Sequence, residues 1–131
     1  MSKHQILIVE NHEELSKSLA DWIYMELPDC SVCHANHAEE AIWMIQDDFC
    51  DPQVIITDLF LVGMDGIEFT RRIENRWPDK KTIVISVYDN EIYRKFALKA
   101  GAADFRVIPN INDDFMSLVR GLLNEKKEKH V

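Results

Sequence analysis

Short apolar runs alternate along this chain with longer segments in which apolar residues recur at helical spacing. Each run ends at a polar residue or at proline. The runs at residues 6–9 and 54–57 are apolar throughout, which is typical of strands that are buried on both faces of a sheet, whereas the segment at 30–35 is a weaker strand. The runs predict five strands, over residues 5–9, 30–35, 53–57, 82–86 and 103–108. The helical spacing predicts five helices: one from residue 11 or 12 to Pro28, then 38–48, 66–77, one between Asp89 and Gly101, and 112–125. Asp89 is expected to cap the fourth helix.

Each predicted helix has one apolar face that we expect to be buried. The first three faces are formed by Leu15, Leu19, Trp22, Ile23 and Leu27, by Ala41, Ile42, Ile45 and Phe49, and by Ile67, Thr70, Ile73 and Trp77. The last two are formed by Ile92, Phe96, Ala97 and Ala100, and by Phe115, Leu118, Val119, Leu122 and Leu123. Trp43 lies off the face of the second helix, so it either contacts a partner or lies flat on a neighbouring side chain.

The alternation of strands and helices predicts an α/β fold built on a parallel sheet. Right-handed crossovers place helices on both faces of such a sheet. We therefore expect a flavodoxin-like, doubly wound sheet of five strands in the order 2-1-3-4-5. Residues 1–125 are predicted to form one domain, and residues 126–131 a charged tail or the start of a linker.

The charge of the chain argues against some partners. A formal net charge of −8 would repel DNA, RNA and anionic lipid, so no direct binding of nucleic acid or membrane is predicted. No apolar stretch is long enough to span a bilayer or to form a signal peptide, and we expect a cytoplasmic protein.

The cysteines raise a separate question. Their odd number, three, argues against a disulfide framework. Cys30 and Cys33 spell C-x-x-C, which leaves a zinc or redox site open. On a strand, however, residues three apart point to opposite faces, so we expect two ordinary buried or half-buried thiols.

Two of the predicted strands end in carboxylates. The first strand is followed by Glu10 and the third by Asp58. In a sheet of order 2-1-3-4-5 these strands are neighbours, and ligands bind at the carboxyl ends where the strand order reverses. The two side chains are therefore expected to share one acidic pocket that suits a hard cation and phosphate chemistry. Taken alone, Asp58 could simply cap the loop that follows it.

At these residues the chain resembles the receiver domain of two-component response regulators. The most specific stretch is Asp58-Leu-Phe-Leu-Val-Gly-Met-Asp-Gly66, in which an aspartate at a strand end is followed by Met-Asp-Gly. Ser86-Val-Tyr-Asp and Lys99-Ala-Gly-Ala-Ala-Asp-Phe105 also match the family. The similarity is greatest to receivers that are attached to helix-turn-helix transcription factors.

The resemblance implies a role for several residues. Asp58 would accept a phosphoryl group from a histidine kinase or a phosphotransfer protein. Mg²⁺ would be held by Glu10, Asn11, Asp58 and the backbone carbonyl of Phe60. Ser86 would form a hydrogen bond with a phosphoryl oxygen. Phe105 would be the aromatic switch that changes rotamer, or else an ordinary residue of the hydrophobic core.

Two departures from the family weaken this expectation. The acidic pair after the first strand is Glu10-Asn11, so one ligand has no charge. The lysine that precedes the proline after the fifth strand is replaced by Ile108, and Arg106 could substitute for it only if the strand end bends. The usual three carboxylates and one ammonium have the same net charge as the two carboxylates left here, so the two changes compensate. We predict weak Mg²⁺ binding and slow or absent phosphorylation.

Alternatives and partners also follow from the resemblance. A pseudo-receiver, whose output is set by protein contacts or dimerisation, is the main alternative. Tyr88 and Tyr93 lie near a face that receivers use to form homodimers or to dock partners, and a DNA-binding effector domain would follow if the natural chain is longer. No enzyme activity is expected beyond transfer to and from Asp58 itself. An aspartyl phosphatase needs a second aspartate where Phe60 stands, and a flavodoxin needs a phosphate loop that is missing. His12, His34 and His37 are expected on the surface or in loops without a metal.

Overall fold

Five parallel strands form a single sheet in the order β2-β1-β3-β4-β5. The structure is a computed structural model and describes residues 4–108 and 111–125, so the predicted tail, 126–131, lies outside the described residues. The strands are β1 His4–Val9, β2 Cys30–Ala35, β3 Val54–Asp58, β4 Lys81–Ser86 and β5 Asp104–Val107. The helices are α1 Glu13–Glu26, α2 Ala38–Gln46, α3 Gly66–Arg76, α4 Glu91–Ala100 and α5 Asp113–Leu123. The predicted fold class and strand order are confirmed, with ends shifted by a few residues.

Successive residues of the central strands face opposite layers of helices, as the unbroken apolar runs predict. Ile6 and Ile8 of β1 pack in one core cluster with side chains of α1 and α5. Leu7 and Val9 pack in a second cluster with side chains of α2 and α3. A third cluster joins α4 to β4 and β5 around the buried ring of Phe105. The sheet is thus covered on both faces, and its carboxyl edge is left for the loops that carry the acidic residues.

Side-chain caps fix where several helices begin. Asp65 accepts a hydrogen bond from Glu68 N at α3, and Asn112 accepts one from Asp114 N at α5. At α4 the cap is Asn90, which accepts from the backbone N–H of Ile92 and of Tyr93, so the expectation that Asp89 caps this helix is wrong. Asparagine and aspartate have equal capping power, and the position one residue later is the one with extended backbone angles.

Some residues predicted to be buried are exposed. Ile92 and Phe96 are 62% and 53% exposed because α4 packs through Ala97 and Ala100 on its other side. Phe49 is 64% exposed because α2 ends at Gln46 and the helical face does not continue to it. Instead, its ring stacks on Trp43 with a centroid distance of 4.8 Å, so Trp43 does lie against a neighbouring side chain. Phe69, which was not assigned to the core, is fully buried.

A disulfide joins Cys33 of β2 to Cys50, which precedes β3. The expectation that Cys33 is a free thiol is therefore wrong, whereas Cys30 is free and buried. Cys33 and Cys50 are far apart in sequence and meet only because β2 packs next to β1, and β1 next to β3. Among the residues described, none of the helices has the length and apolar composition that crossing a bilayer requires.

Candidate functional site

Glu10 and Asp58 meet at the carboxyl edge of the sheet. Val9 of β1 pairs in register with Thr57 of β3, so the next residue of each strand reaches the same edge. Glu10 is fully buried and Asp58 is 8% exposed. The shared acidic pocket expected from the sequence is thus present in the structure.

The proximity of the two carboxyl groups changes the acidity of Asp58. Burial is the largest cause and the neighbouring Glu10 carboxyl the next, and together they raise the pKa of Asp58 to about 7. The backbone N–H of Phe60, which donates to Asp58 Oδ1 at 3.1 Å, opposes this shift, as does the charge of His12. Repulsion between the carboxylates of Glu10 and Asp58 therefore persists, even though position 11 has the neutral Asn11 instead of a third carboxylate. A proton or a cation between the two groups would relieve it.

His12 lies at the same mouth. Its Nδ1 atom is 3.0 Å from Glu10 Oε2, and its backbone N–H donates to the same oxygen at 3.0 Å. One ligand atom each from Glu10, His12 and Asp58 lies within 4.8 Å of the others. His12 lies on the surface, as expected, but the expectation that no other ligand residues lie near it is wrong. The signal was its position two residues after Glu10, in a turn that folds its ring back over the strand end.

Glu10 also contains an unsatisfied atom. Its Oε1 is buried and has no hydrogen-bond partner among the residues that the structure describes. Such an atom is costly unless a proton or a cation is bound to it. Asn11 is exposed beside it, on the turn into α1.

The rest of the pocket is largely apolar and aromatic. A cavity of about 470 Å³ is lined by His12, Leu15, Asp58, Phe60, Val87, Tyr88, Tyr93 and Ile108. The ring of Phe60 makes edge contacts with Tyr88 and Tyr93, at centroid distances of 5.6 and 5.5 Å. Ile108 forms part of the wall where the resemblance implies a lysine. Arg106 does not replace that lysine, because its guanidinium pairs with Asp104 and Asp114.

Ser86 stands at the end of the neighbouring strand. Asp58 pairs in register with Ile85, so Ser86 is the next residue at the same edge. Ser86 is buried, and its Oγ accepts a hydrogen bond from Tyr88 N at 2.9 Å. The hydroxyl hydrogen is left to donate to another acceptor.

Phe105 is fully buried on β5. The guanidinium of Arg94 lies 5.0 Å from the centre of its ring, and Arg94 Nη1 donates to its carbonyl oxygen at 3.0 Å. The ring is thus held inward by α4. Its proposed rotamer change stays a prediction.

Gly66 holds the loop after Asp58 close to the strand. A Cβ atom at Gly66 would collide with the backbone carbonyl of Asp58. The preceding residue, Asp65, caps α3 by accepting from Glu68 N at 2.8 Å. The role of the Asp-Gly pair of the motif is therefore to shape the loop and to begin α3, rather than to take part in phosphoryl transfer.

Comparisons with known proteins agree with this geometry. The family model of the response regulator receiver domain matches residues 6–120. The transcriptional regulatory protein DegU of Brevibacillus brevis is 30% identical over 104 residues, which are 79% of this chain and 43% of the relative. The transcriptional activator protein ExaE of Pseudomonas putida is 32% identical over 100 residues, which are 76% of this chain and 46% of the relative. The chain thus spans about half the length of these relatives.

Solved structures share the fold. FixJ-N superposes with a TM-score of 0.79 and 26% identity, covering 96% of this chain and 98% of that one. The BeF3-activated N-terminal receiver domain of RstA from Klebsiella pneumoniae has a TM-score of 0.83 and 20% identity, covering 92% of this chain and 99% of that one.

Proposed function

This chain belongs to the response regulator receiver domain family of two-component signalling, and from that premise we propose that it accepts a phosphoryl group on Asp58. The donor would be the phosphohistidine of a histidine kinase or a phosphotransfer protein. The observation that carries the proposal is the position of the Asp58 carboxyl, at the mouth shared with Glu10 and beside Ser86.

The local geometry suits nucleophilic attack by one oxygen of Asp58. Phe60 N–H holds Oδ1, which orients the carboxylate. The other oxygen would form a bond to phosphorus while the bond from phosphorus to the donor imidazole breaks. The attacking group must be the carboxylate, so the raised pKa leaves only part of Asp58 reactive at neutral pH in the absence of a cation. Ser86 would donate its hydroxyl hydrogen to a phosphoryl oxygen.

The residues present fit a divalent cation. Two carboxylates face each other, and a buried oxygen of Glu10 has no partner within the described part of the chain. Glu10, Asn11, Asp58 and the Phe60 carbonyl would hold the ion. Mg²⁺ bound there would neutralise charge on the phosphoryl oxygens during transfer. Because Asn11 is neutral, we expect weaker Mg²⁺ binding than at a site with an acidic pair in addition to the acceptor aspartate.

The loss of the lysine should slow the transfer. Ile108 offers no positive charge to the transferred group, and Arg106 is paired elsewhere. The phosphoryl oxygens would then be stabilised by the cation, by Ser86 and by backbone donors. Transfer should still occur, more slowly than in receivers with the lysine.

Intact mass measurement tests the proposal. The protein is incubated with MgCl₂ and a small acyl phosphate, and we expect one added phosphoryl group per chain. The increase should vanish in Asp58→Asn and persist in Asp89→Asn, which alters an exposed aspartate near the same loop. No increase in the wild-type chain, or an increase that Asp58→Asn retains, would contradict the proposal.

A phosphorylation-independent binding module is the second candidate. It is favoured by the apolar wall at Ile108 and by exposed aromatic and aliphatic side chains near the pocket. The exposed set comprises Phe60, Val87, Tyr88, Ile92 and Phe96. In this case output would follow from dimerisation or partner docking, without added phosphate. DegU and ExaE are described as transcriptional proteins, so a DNA-binding effector domain is the output we propose if the natural chain is longer.

A further inference from the structure

We propose that His12 is a ligand of the cation held by Glu10 and Asp58, and that the site therefore prefers a transition-metal dication to Mg²⁺. The proposal rests on the cation role that the proposed function gives to this pocket. It adds a nitrogen ligand that neither the sequence pattern nor the family resemblance assigns.

The position of His12 is difficult to explain by helix capping. It occupies the N-cap position of α1, yet its side chain makes no capping hydrogen bond. Its ring turns to Glu10 instead, and its Nδ1 is 3.0 Å from Oε2. The side chain of His12 is 75% exposed whereas that of Glu10 is fully buried, so the imidazole forms the outer rim of the mouth. An imidazole there can close over an ion bound between the two carboxylates.

An unpartnered atom points to the same ligand. Glu10 Oε1 is buried without a hydrogen-bond partner in residues 4–108 and 111–125. Oε2 of the same carboxylate already receives the backbone N–H of His12. A cation that bound Oε1, Asp58 and the imidazole would satisfy this bare oxygen.

The set of donor atoms determines the metal preference. Mg²⁺ takes oxygen ligands and is held chiefly by carboxylates. Imidazole nitrogen favours cobalt, nickel, copper and zinc. Here Asn11 has removed one anionic oxygen, and His12 contributes one nitrogen. Both changes shift the preference from magnesium to a transition metal.

The chain supplies a matched control in His37. Its Nδ1 lies 3.5 Å from Glu39 Oε1 and accepts a hydrogen bond from Glu40 N. His37 is thus also a histidine beside a carboxylate at a helix start. It differs because its partner Glu39 is exposed, and because among the described residues His37 belongs to no group of three side chains that could hold a metal ion. If any histidine–glutamate pair could bind the metal, His37 would matter as much as His12.

Calorimetric titration of the EDTA-treated, untagged chain with CoCl₂ and separately with MgCl₂ tests the proposal. The isotherm of Asp58→Asn is subtracted to isolate this site. We expect Co²⁺ to bind about tenfold or more tightly than Mg²⁺. His12→Gln should weaken Co²⁺ binding by about tenfold and leave Mg²⁺ within about threefold, whereas His37→Gln should leave both within about threefold.

Two outcomes would overturn the proposal. One is Co²⁺ binding in His12→Gln that stays within about threefold of the wild type, and the other is an equal loss of Co²⁺ binding in His12→Gln and His37→Gln. Neither involves a phosphoryl donor, so either would leave the phosphorylation of Asp58 standing. Conversely, an absent mass increase with acyl phosphate would refute the proposed function and leave the role of His12 intact.

Discussion

Glu10 and Asp58 are held side by side at the ends of adjacent strands, where burial and then the neighbouring Glu10 carboxyl raise the pKa of Asp58 above that of an ordinary aspartate. Asp58 is the more exposed of the two, and burial together with Glu10 raises its pKa to about 7. Holding the two charged carboxylates together therefore lowers the free energy of unfolding, and a bound proton or cation can offset this loss.

The first prediction concerns stability against pH in EDTA. The pKa of Asp58 is raised from 3.8 to about 7 on folding, so the folded chain binds more protons than the unfolded chain between these values. Stability should therefore fall as the pH rises through this window. Asp58→Asn removes the effect, and should be more stable than the wild type by about 1–3 kcal/mol above pH 7 and nearly equal to it near pH 4.

Urea denaturation across this pH range measures the difference. Asp89→Asn, the exposed control, should follow the wild-type curve. A constant gap between Asp58→Asn and the wild type at all pH values would show that the acidity of Asp58 is not the cause.

The second prediction concerns a lysine placed at position 108, where the resemblance implies one. Ile108→Lys places an ammonium in the wall of the cavity that contains Asp58. The positive charge should lower the pKa of Asp58 and stabilise the transferred phosphoryl group, so phosphorylation by acyl phosphate should be about tenfold faster. The time course of intact mass measures the rate.

Val87→Lys is the matched control for that variant. Val87 lines the same cavity and is 57% exposed, so its ammonium can stay in water. We expect less than about a threefold change in rate. Equal acceleration by both lysines would mean that general electrostatics, rather than the position of Ile108, sets the rate.

Much of the fold is encoded in local patterns. The apolar runs predict β1, β3 and β4 most clearly, because these strands are buried on both faces along most of their length, whereas the edge strands β2 and β5 are only partly buried. The meeting of Glu10 and Asp58 follows from the strand order alone. His12 was missed because its ring direction depends on a turn, for which apolar spacing carries no signal. Ile92 and Phe96 were misplaced because an apolar stripe on α4 looks the same whether it faces the core or water.

The third prediction concerns the disulfide, which the sequence did not reveal. Cys33 and Cys50 are separated by 17 residues, and a link of this length restricts the unfolded chain. Cys50→Ser should lower the free energy of unfolding by about 2–3 kcal/mol under oxidising conditions. Urea denaturation with and without a thiol reductant measures it.

Chemical reduction of the disulfide provides the control for this prediction. The wild type should lose stability on reduction and Cys50→Ser should not. The buried thiol of Cys30 is not bonded, so Cys30→Ser should still respond to the reductant. A wild-type chain whose stability does not change on reduction would contradict the presence of this disulfide in solution.

The fourth prediction concerns the stacked rings of Trp43, on α2, and Phe49, which follows that helix. Trp43 and Phe49 are both largely exposed, and their rings stack at 4.8 Å. A double-mutant cycle with Trp43→Ala and Phe49→Ala should give a coupling energy of about 0.5–1.5 kcal/mol. A coupling near zero would indicate that the two rings do not stabilise each other in solution.

The phosphorylation of Asp58 is tested most directly by borohydride reduction of the chain after treatment with acyl phosphate and a divalent cation, followed by peptide sequencing. Reduction converts a phosphorylated aspartate to homoserine and so identifies the modified residue. The structure leads us to expect homoserine at position 58, and none when the cation is omitted. Homoserine at an exposed aspartate such as position 89, or at no position in the wild-type chain, would contradict the assignment of Asp58 as the acceptor.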